Sequence, residues 1–188
     1  MLIVQNHRTG LEKLQRQFEG ATILDVTSKG EEPWVRFSPF YPHGNIPVPF
    51  SPGWFSASVE GVWQGLKVFE HAGIDTTKFQ IVTMRGLKRS ARTLGQVLGH
   101  QRGAGEKLLT YAEARQVIYL PTYRWVLDHY MQQELEQLRD LALNGTVVLR
   151  DYETNCDLND LRRPLSHAGL IKLYLEDRWP VQPFSGEK

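Results

Sequence analysis

The sequence is poor in the features that usually place a protein quickly. It has one cysteine, Cys156, in 188 residues, which excludes an internal disulfide and predicts a reducing compartment, the cytoplasm. No apolar run approaches the roughly 20 residues that a membrane-crossing helix needs, so no membrane partner is expected. The opening MLIVQNHRTG carries only three apolar residues after Met1, too few for a secretory core. The net charge is +1, so no global field draws the chain onto nucleic acid or lipid, and any basic site has to be local. The histidines show no zinc-ligand spacing, and no metal is expected. Repeats, low-complexity segments and an interdomain linker are also lacking. That predicts one domain over residues 1–188, long enough to bury a sizeable core.

What is present is organised by period and punctuation. GLEKLQRQFEG spaces Leu11, Leu14 and Phe18 at helical intervals and stops at Gly20. ATILDVTS predicts a short strand. From Pro33 to Phe55 lie six of the ten prolines together with Trp34, Phe37, Phe40, Tyr41, Phe50, Trp54 and Phe55. Proline forbids regular ladders while aromatics demand burial, which predicts a long ordered loop with one or two edge strands. Four helical patterns follow, over roughly residues 58–72, 85–99, 111–118 and 122–143. TVVLRDY is the clearest strand, ETNCDLNDLRRP a polar loop, and SHAGLIKLYLED a closing helix with Ser166 as N-cap. The fold class predicted is α+β and mainly helical, with helices around a small sheet and a long Pro/aromatic-rich loop.

Three groups of side chains are candidates for chemistry. In SVEGVWQGLK, Glu60, Gln64 and Lys67 fall within an arc of about 60° on a helix. Val59, Val62, Trp63, Leu66 and Phe69 flank one side, and Gly61 and Gly65 leave bare backbone on the other. Glycine costs about 1 kcal/mol relative to alanine inside a helix, so close approach by another segment or a ligand is expected there. A first-turn glutamate also suits the helix dipole, and the row could equally be a solvated stripe. In MRGLKRSARTLGQVLGH, Arg85, Lys88, Arg89 and Arg92 would share one helical face, which suits phosphate as well as it suits open water. In TNCDLND, Asp157, Asn159 and Asp160 could line a site or simply shape the loop.

These pieces together resemble one family. FSPFYP, followed about twenty residues later by SVEGVWQGLK, is similar to the signature of the NADAR family, as are SARTLG and the TNCD turn with its closing helix HAGLIKLYLE. The resemblance runs from about Thr22 to Glu176. Pro39 stands where the family has asparagine, no Trp-Gly follows Asp157, and about ten extra residues lie between Gly95 and Tyr123. The family includes an N-glycosidase of riboflavin-biosynthesis intermediates and hydrolases that remove ADP-ribose from guanine in DNA.

The resemblance implies a NADAR-like fold and cleavage of an N-glycosidic bond in a phosphorylated nucleoside or ADP-ribose-type substrate, free or on nucleic acid. It gives Glu60 the place of the catalytic glutamate and Asp157 that of a second acid. It makes Ser38, Phe40, Trp63, Gln64, Lys67, Tyr123 and Asn155 expected substrate contacts, with Tyr123 where relatives carry a base-stacking tryptophan, and the basic row adds Arg85, Lys88 and Arg92 for phosphate. Such hydrolysis requires no cofactor. A non-catalytic nucleotide-binding module and a ribosyl or ADP-ribosyl transferase are the alternatives.

Overall fold

The computed structural model describes residues 1–180. The chain begins with β1 (Leu2–Asn6), α1 (Leu11–Gln17) and β2 (Thr22–Asp25). The Pro/aromatic stretch holds a 3-10 turn (Trp34–Phe37) and two short strands, β3 (Ile46–Pro47) and β4 (Phe55–Ser56). Then come α2 (Val59–Gly65), β5 (Lys67–Phe69), a second 3-10 turn (Thr76–Gln80), α3 (Ala91–Leu94), β6 (Val97–Gln101) and β7 (Leu108–Leu109). A helical run follows: α4 (Tyr111–Ala114), a π segment (Arg115–Tyr119) and α5 (Leu120–Tyr130). The last elements are α6 (Gln132–Asn144), β8 (Val147–Asp151) and α7 (His167–Leu175). This is an α+β fold. By internal contacts it divides into two compact units, residues 1–25 with 136–188, and residues 26–135.

In the first unit a three-stranded parallel sheet has the order β1-β8-β2, with Val4 and Leu24 both opposite Leu149. Val147, Val148 and Leu149 are all fully buried. An unbroken apolar run of this kind belongs to a central parallel strand covered on both faces. Leu14 of α1 and Ala168, Leu170 and Ile171 of α7 are among the residues buried with it. Ser166 caps α7, its hydroxyl accepting from the Gly169 amide at 3.0 Å, as the sequence predicts.

In the second unit, β3 and β4 form an antiparallel pair, and β5-β6-β7 an antiparallel sheet. Val48, Val62, Leu66, Phe79, Leu109, Ala114 and Ile118 form the core around α2. The prediction of an ordered loop with edge strands from Pro33 to Phe55 matches this: Phe37, Ile46 and Val48 anchor the stretch in the interior. A Cβ on Gly65 would penetrate the ring of Phe79, and one on Gly61 would stand 2.9 Å from the Lys78 carbonyl oxygen. The bare face of α2 is therefore occupied by the Thr76–Gln80 turn, and the two glycines let it approach.

Three helix predictions need correcting. The pattern over 58–72 yields a helix only to Gly65; Lys67 begins a strand, and Phe69 is buried from that strand. The pattern over 85–99 yields a single helical turn followed by β6. Gly86 and Gly95 there take positive φ, and the β6 residues pair with β5 instead of continuing a helix. The pattern over 122–143 breaks at Met131. Upstream, Pro121 lacks the N–H of an ordinary helix residue, and the helical run absorbs this with the π segment just before it.

Candidate active site

The polar row of the second unit is a connected network. Ser58, not Glu60, caps α2, its hydroxyl accepting from the Gly61 amide at 3.0 Å. Glu60 is 8% exposed and Gln64 5%; the Gln64 side-chain amide donates to Glu60 Oε1 at 2.8 Å. Lys67 Nζ then donates to Gln64 Oε1 at 3.2 Å, and the Arg89 amide to the same oxygen at 3.2 Å. Glu60 does stand in the first turn, where the helix dipole favours it, but the burial of Glu60 and Gln64 rules out a solvated stripe. Although the helix has ended, Leu66 stays near helical geometry (φ −83°, ψ −5°) and leaves Lys67 within reach of Gln64.

The Phe37–Phe40 segment lies against the start of this helix. The Glu60 amide donates to the Pro39 carbonyl at 2.8 Å, and the Phe40 amide to the hydroxyl of buried Ser38 at 3.3 Å. Lys88 places its ammonium 5.5 Å from the Phe40 ring centroid. Burial pushes the Glu60 carboxyl above the usual carboxylate range, against the opposing pull of the Gln64 hydrogen bond and the charges of Lys67 and Lys88. Burial likewise pushes the Lys67 ammonium down, against the attraction of Glu60. A buried carboxyl that feels two cations can exchange a proton or face a developing positive charge.

The basic row does not form one face. Arg89 turns inward: its guanidinium donates to the carbonyls of Lys67 (2.5 Å), Gln64 (3.4 Å) and Gly73 (2.7 Å) and stacks on Phe69 at 4.8 Å. It braces the segment that holds Lys67. Lys88 points to Phe40, while Arg85 and Arg92 are exposed. The physical reason is that residues 85–90 are not helical, so spacing of three and four no longer aligns side chains.

Trp63 is half-buried, its ring 3.8 Å from His100 centroid to centroid, with Tyr111 and Tyr119 meeting its edges. Tyr123 lies in the core instead, 1% exposed, its hydroxyl donating to the Phe37 carbonyl at 2.8 Å. A platform for a base needs an accessible face, so Tyr123 supports the Phe37–Phe40 segment and does not stack.

Asn155 and Asp157 belong to the first unit. Asn155 is buried; its amide group donates to the carbonyls of Asp160 (3.0 Å) and Arg163 (3.2 Å), and its oxygen accepts from the Asp157 amide. Asp157 is exposed, its carboxylate accepting from the Asn159 amide at 2.9 Å. These bonds shape the loop. Among the described residues, no group of three or more His, Cys, Asp or Glu side chains could hold a metal ion, and no helix is long and apolar enough to cross a membrane.

Two contributors escape the sequence reasoning. Arg89 reads there as one of four equivalent cations, and nothing in the pattern marks it as the inward one. His100 has no motif of its own and becomes notable only through its burial.

Residues 6–171 match a family described as "Family of unknown function (DUF6939)", and the chain belongs to that family. No curated protein matches it.

Proposed function

We propose that this protein is an N-glycosidase that hydrolyses the bond between a base and the anomeric carbon of a phosphorylated ribose or ADP-ribose, free or carried on nucleic acid. The observation that carries the proposal is Glu60: a carboxyl buried, with its pKa raised, beside Lys67 and Lys88. N-glycoside cleavage passes through an oxocarbenium-like state, which an adjacent carboxylate stabilises. Water attacks the anomeric carbon and gives its proton to Glu60. The carbon–nitrogen bond breaks, its electron pair leaves with the base, and the proton follows to the base. A raised pKa suits a group that must both take and return that proton. Gln64 orients the carboxylate through its 2.8 Å bond, and Lys67 and Lys88 suit the sugar phosphate.

The test is incubation with NAD, ADP-ribosylated guanine DNA, ribosylated pyrimidine phosphates and nucleoside monophosphates, with liberated base followed by chromatography. Base release from at least one is expected, falling about 1,000-fold or more in Glu60→Gln while the melting temperature holds. Tight ADP-ribose binding with no base release from any substrate would make the protein a binding module instead. A covalent nucleotide adduct would make it a transferase.

A further inference from the structure

Beside the Glu60 row, β6 buries a histidine whose hydrogen-bonding capacity the protein does not use. His100 is 1% exposed, and neither Nδ1 nor Nε2 has a hydrogen-bond partner. A neutral imidazole always presents one N–H donor and one lone pair. Burying both without partners carries a desolvation penalty that a phenylalanine of similar shape would avoid.

The position of the ring is closely defined. His100 pairs with Lys67 of β5 on one side and Leu109 of β7 on the other. The preceding Gly99 has φ 153°, and any Cβ there would collide with the Leu109 carbonyl oxygen, so β6 runs flush against β7. Trp63 covers the imidazole and is itself only half-buried, which leaves the ring one aromatic layer beneath the surface. Lys67 Nζ lies 6.0 Å from the Trp63 centroid. Burial and the Lys67 charge hold the imidazole neutral, its pKa down at about 3. It is therefore not a cation for phosphate. Its donor and acceptor suit an uncharged polar edge, and the wall of Trp63, Tyr111 and Tyr119 suits a planar ring.

We propose that His100 is the specificity residue of this site: once the half-buried Trp63 ring turns off the imidazole, His100 gives a hydrogen bond to the edge of the nucleobase that packs against that ring, while Lys67 and Lys88 take the phosphorylated sugar. This rests on the N-glycosidase proposal and deepens it.

The test compares ligands with and without a base on the anomeric carbon: NAD against ADP-ribose, and uridine 5′-phosphate against ribose 5-phosphate. Affinities are measured by calorimetry for the wild type, His100→Phe and His100→Gln. In at least one pair the base-bearing ligand should bind the wild type more tightly. His100→Phe should lose about tenfold on that ligand and less than about twofold on its base-free counterpart, with no fall in melting temperature. His100→Gln keeps a donor and an acceptor and should recover part of the difference. Should the phenylalanine variant not fold, His100→Met removes the same groups with a more adaptable side chain. Retention of the full base increment without the imidazole overturns the proposal, as does equal wild-type binding within both pairs. If neither pair binds the wild type at all, the nucleotide-sugar function itself falls and this assignment falls with it.

Discussion

The two units treat buried polar groups in opposite ways. In the first, histidines are matched to acids: His7 Nε2 lies 2.9 Å from Asp25, and His167 Nδ1 3.1 Å from Asp151. Asp151 also accepts from the Ser166 hydroxyl and the Ala168 amide, and its pKa is held down at about 2: burial opposes ionisation, but His167 and those hydrogen bonds outweigh it. Only Arg150 Nε is left without a partner among that unit's described buried side chains. In the second unit, Glu60 is pushed up, Lys67 is pushed down, and half-buried His43 and buried His100 are held neutral, with pKa values near 4 and 3. His43 has a backbone carbonyl and His100 nothing. One Glu134 oxygen is unpaired as well, although its other oxygen holds Arg36. Polar groups that satisfy one another stabilise a fold; polar groups buried with capacity to spare are where a ligand can repay the cost of desolvation. In residues 26–135 the spare capacity lies at His100 and Glu134.

The largest expected effect breaks the saturated half. Asp151→Ala removes the acceptor of Ser166, His167 and Ala168 at once, and should destabilise the protein by about 3–5 kcal/mol, measured by urea unfolding. The equivalent change at Glu60 should cost far less, because its hydrogen-bond partner in the protein is one glutamine amide. A mild Asp151→Ala beside a crippling Glu60→Ala would invert the comparison.

Acid should separate the same two sets of groups. His100 goes from about 6.5 unfolded to about 3 folded, so the unfolded chain binds the proton first. The stability it contributes is complete above pH 6.5 and is lost as pH falls toward 3, about 2 kcal/mol by pH 5 and about 4 kcal/mol over the whole window. His43 adds in the same direction between pH 6.5 and about 4. Asp151 has its folded pKa below the ordinary 3.8, so its contribution stays intact above that value and is lost only as pH falls from there to about 2. A denaturation series from pH 8 to 5 should therefore slope in the wild type and lose about half of that slope in His100→Phe, His43 supplying the rest. An unchanged slope would mean that the imidazole is not held neutral.

A smaller effect concerns packing. Gly65→Ala at the last residue of α2 would ordinarily gain stability, but here the methyl group meets the Phe79 ring. A net loss of about 1–3 kcal/mol is expected, relieved by Phe79→Leu, and thermal melts of the two variants check it.

These particulars also show what the sequence could reveal. α1, β2, β8 and α7 were legible because each carries its own signal: a Gly stop, an apolar run, a Ser cap. The Glu60–Gln64–Lys67 row was legible because residues three and four apart on a helix are neighbours, and Leu66 keeps Lys67 near that geometry although the helix has ended. β1 was not, since Leu2–Asn6 becomes a strand only by pairing with β8 at the far end of the sequence. Residues 85–99 misled for a related reason. Their spacing is helical, but the winning interactions are distant: Arg89 on the carbonyls of Lys67 and Gly73, and β6 against β5. His100 owes its significance to that same pairing, so no local pattern could have marked it.

The smallest effect on stability tests the electrostatic half of the comparison. Lys88 is exposed, with its ammonium over the face of Phe40, so Lys88→Ala should change stability by less than about 0.5 kcal/mol. Its charge is nevertheless one of the two that favour an ionised Glu60. Without it, the Glu60 pKa should rise further, moving the acid limb of any pH–rate profile to higher pH. Affinity for ADP-ribose should fall several-fold at low salt and by less at high salt, where screening already weakens the contact. A charge that leaves the fold untouched yet shifts the titration of a buried carboxyl belongs to the site and not to the scaffold. If Lys88→Ala moves neither the pH profile nor the salt dependence, the Lys88–Phe40 contact is only surface packing, and Lys67 alone faces the carboxyl.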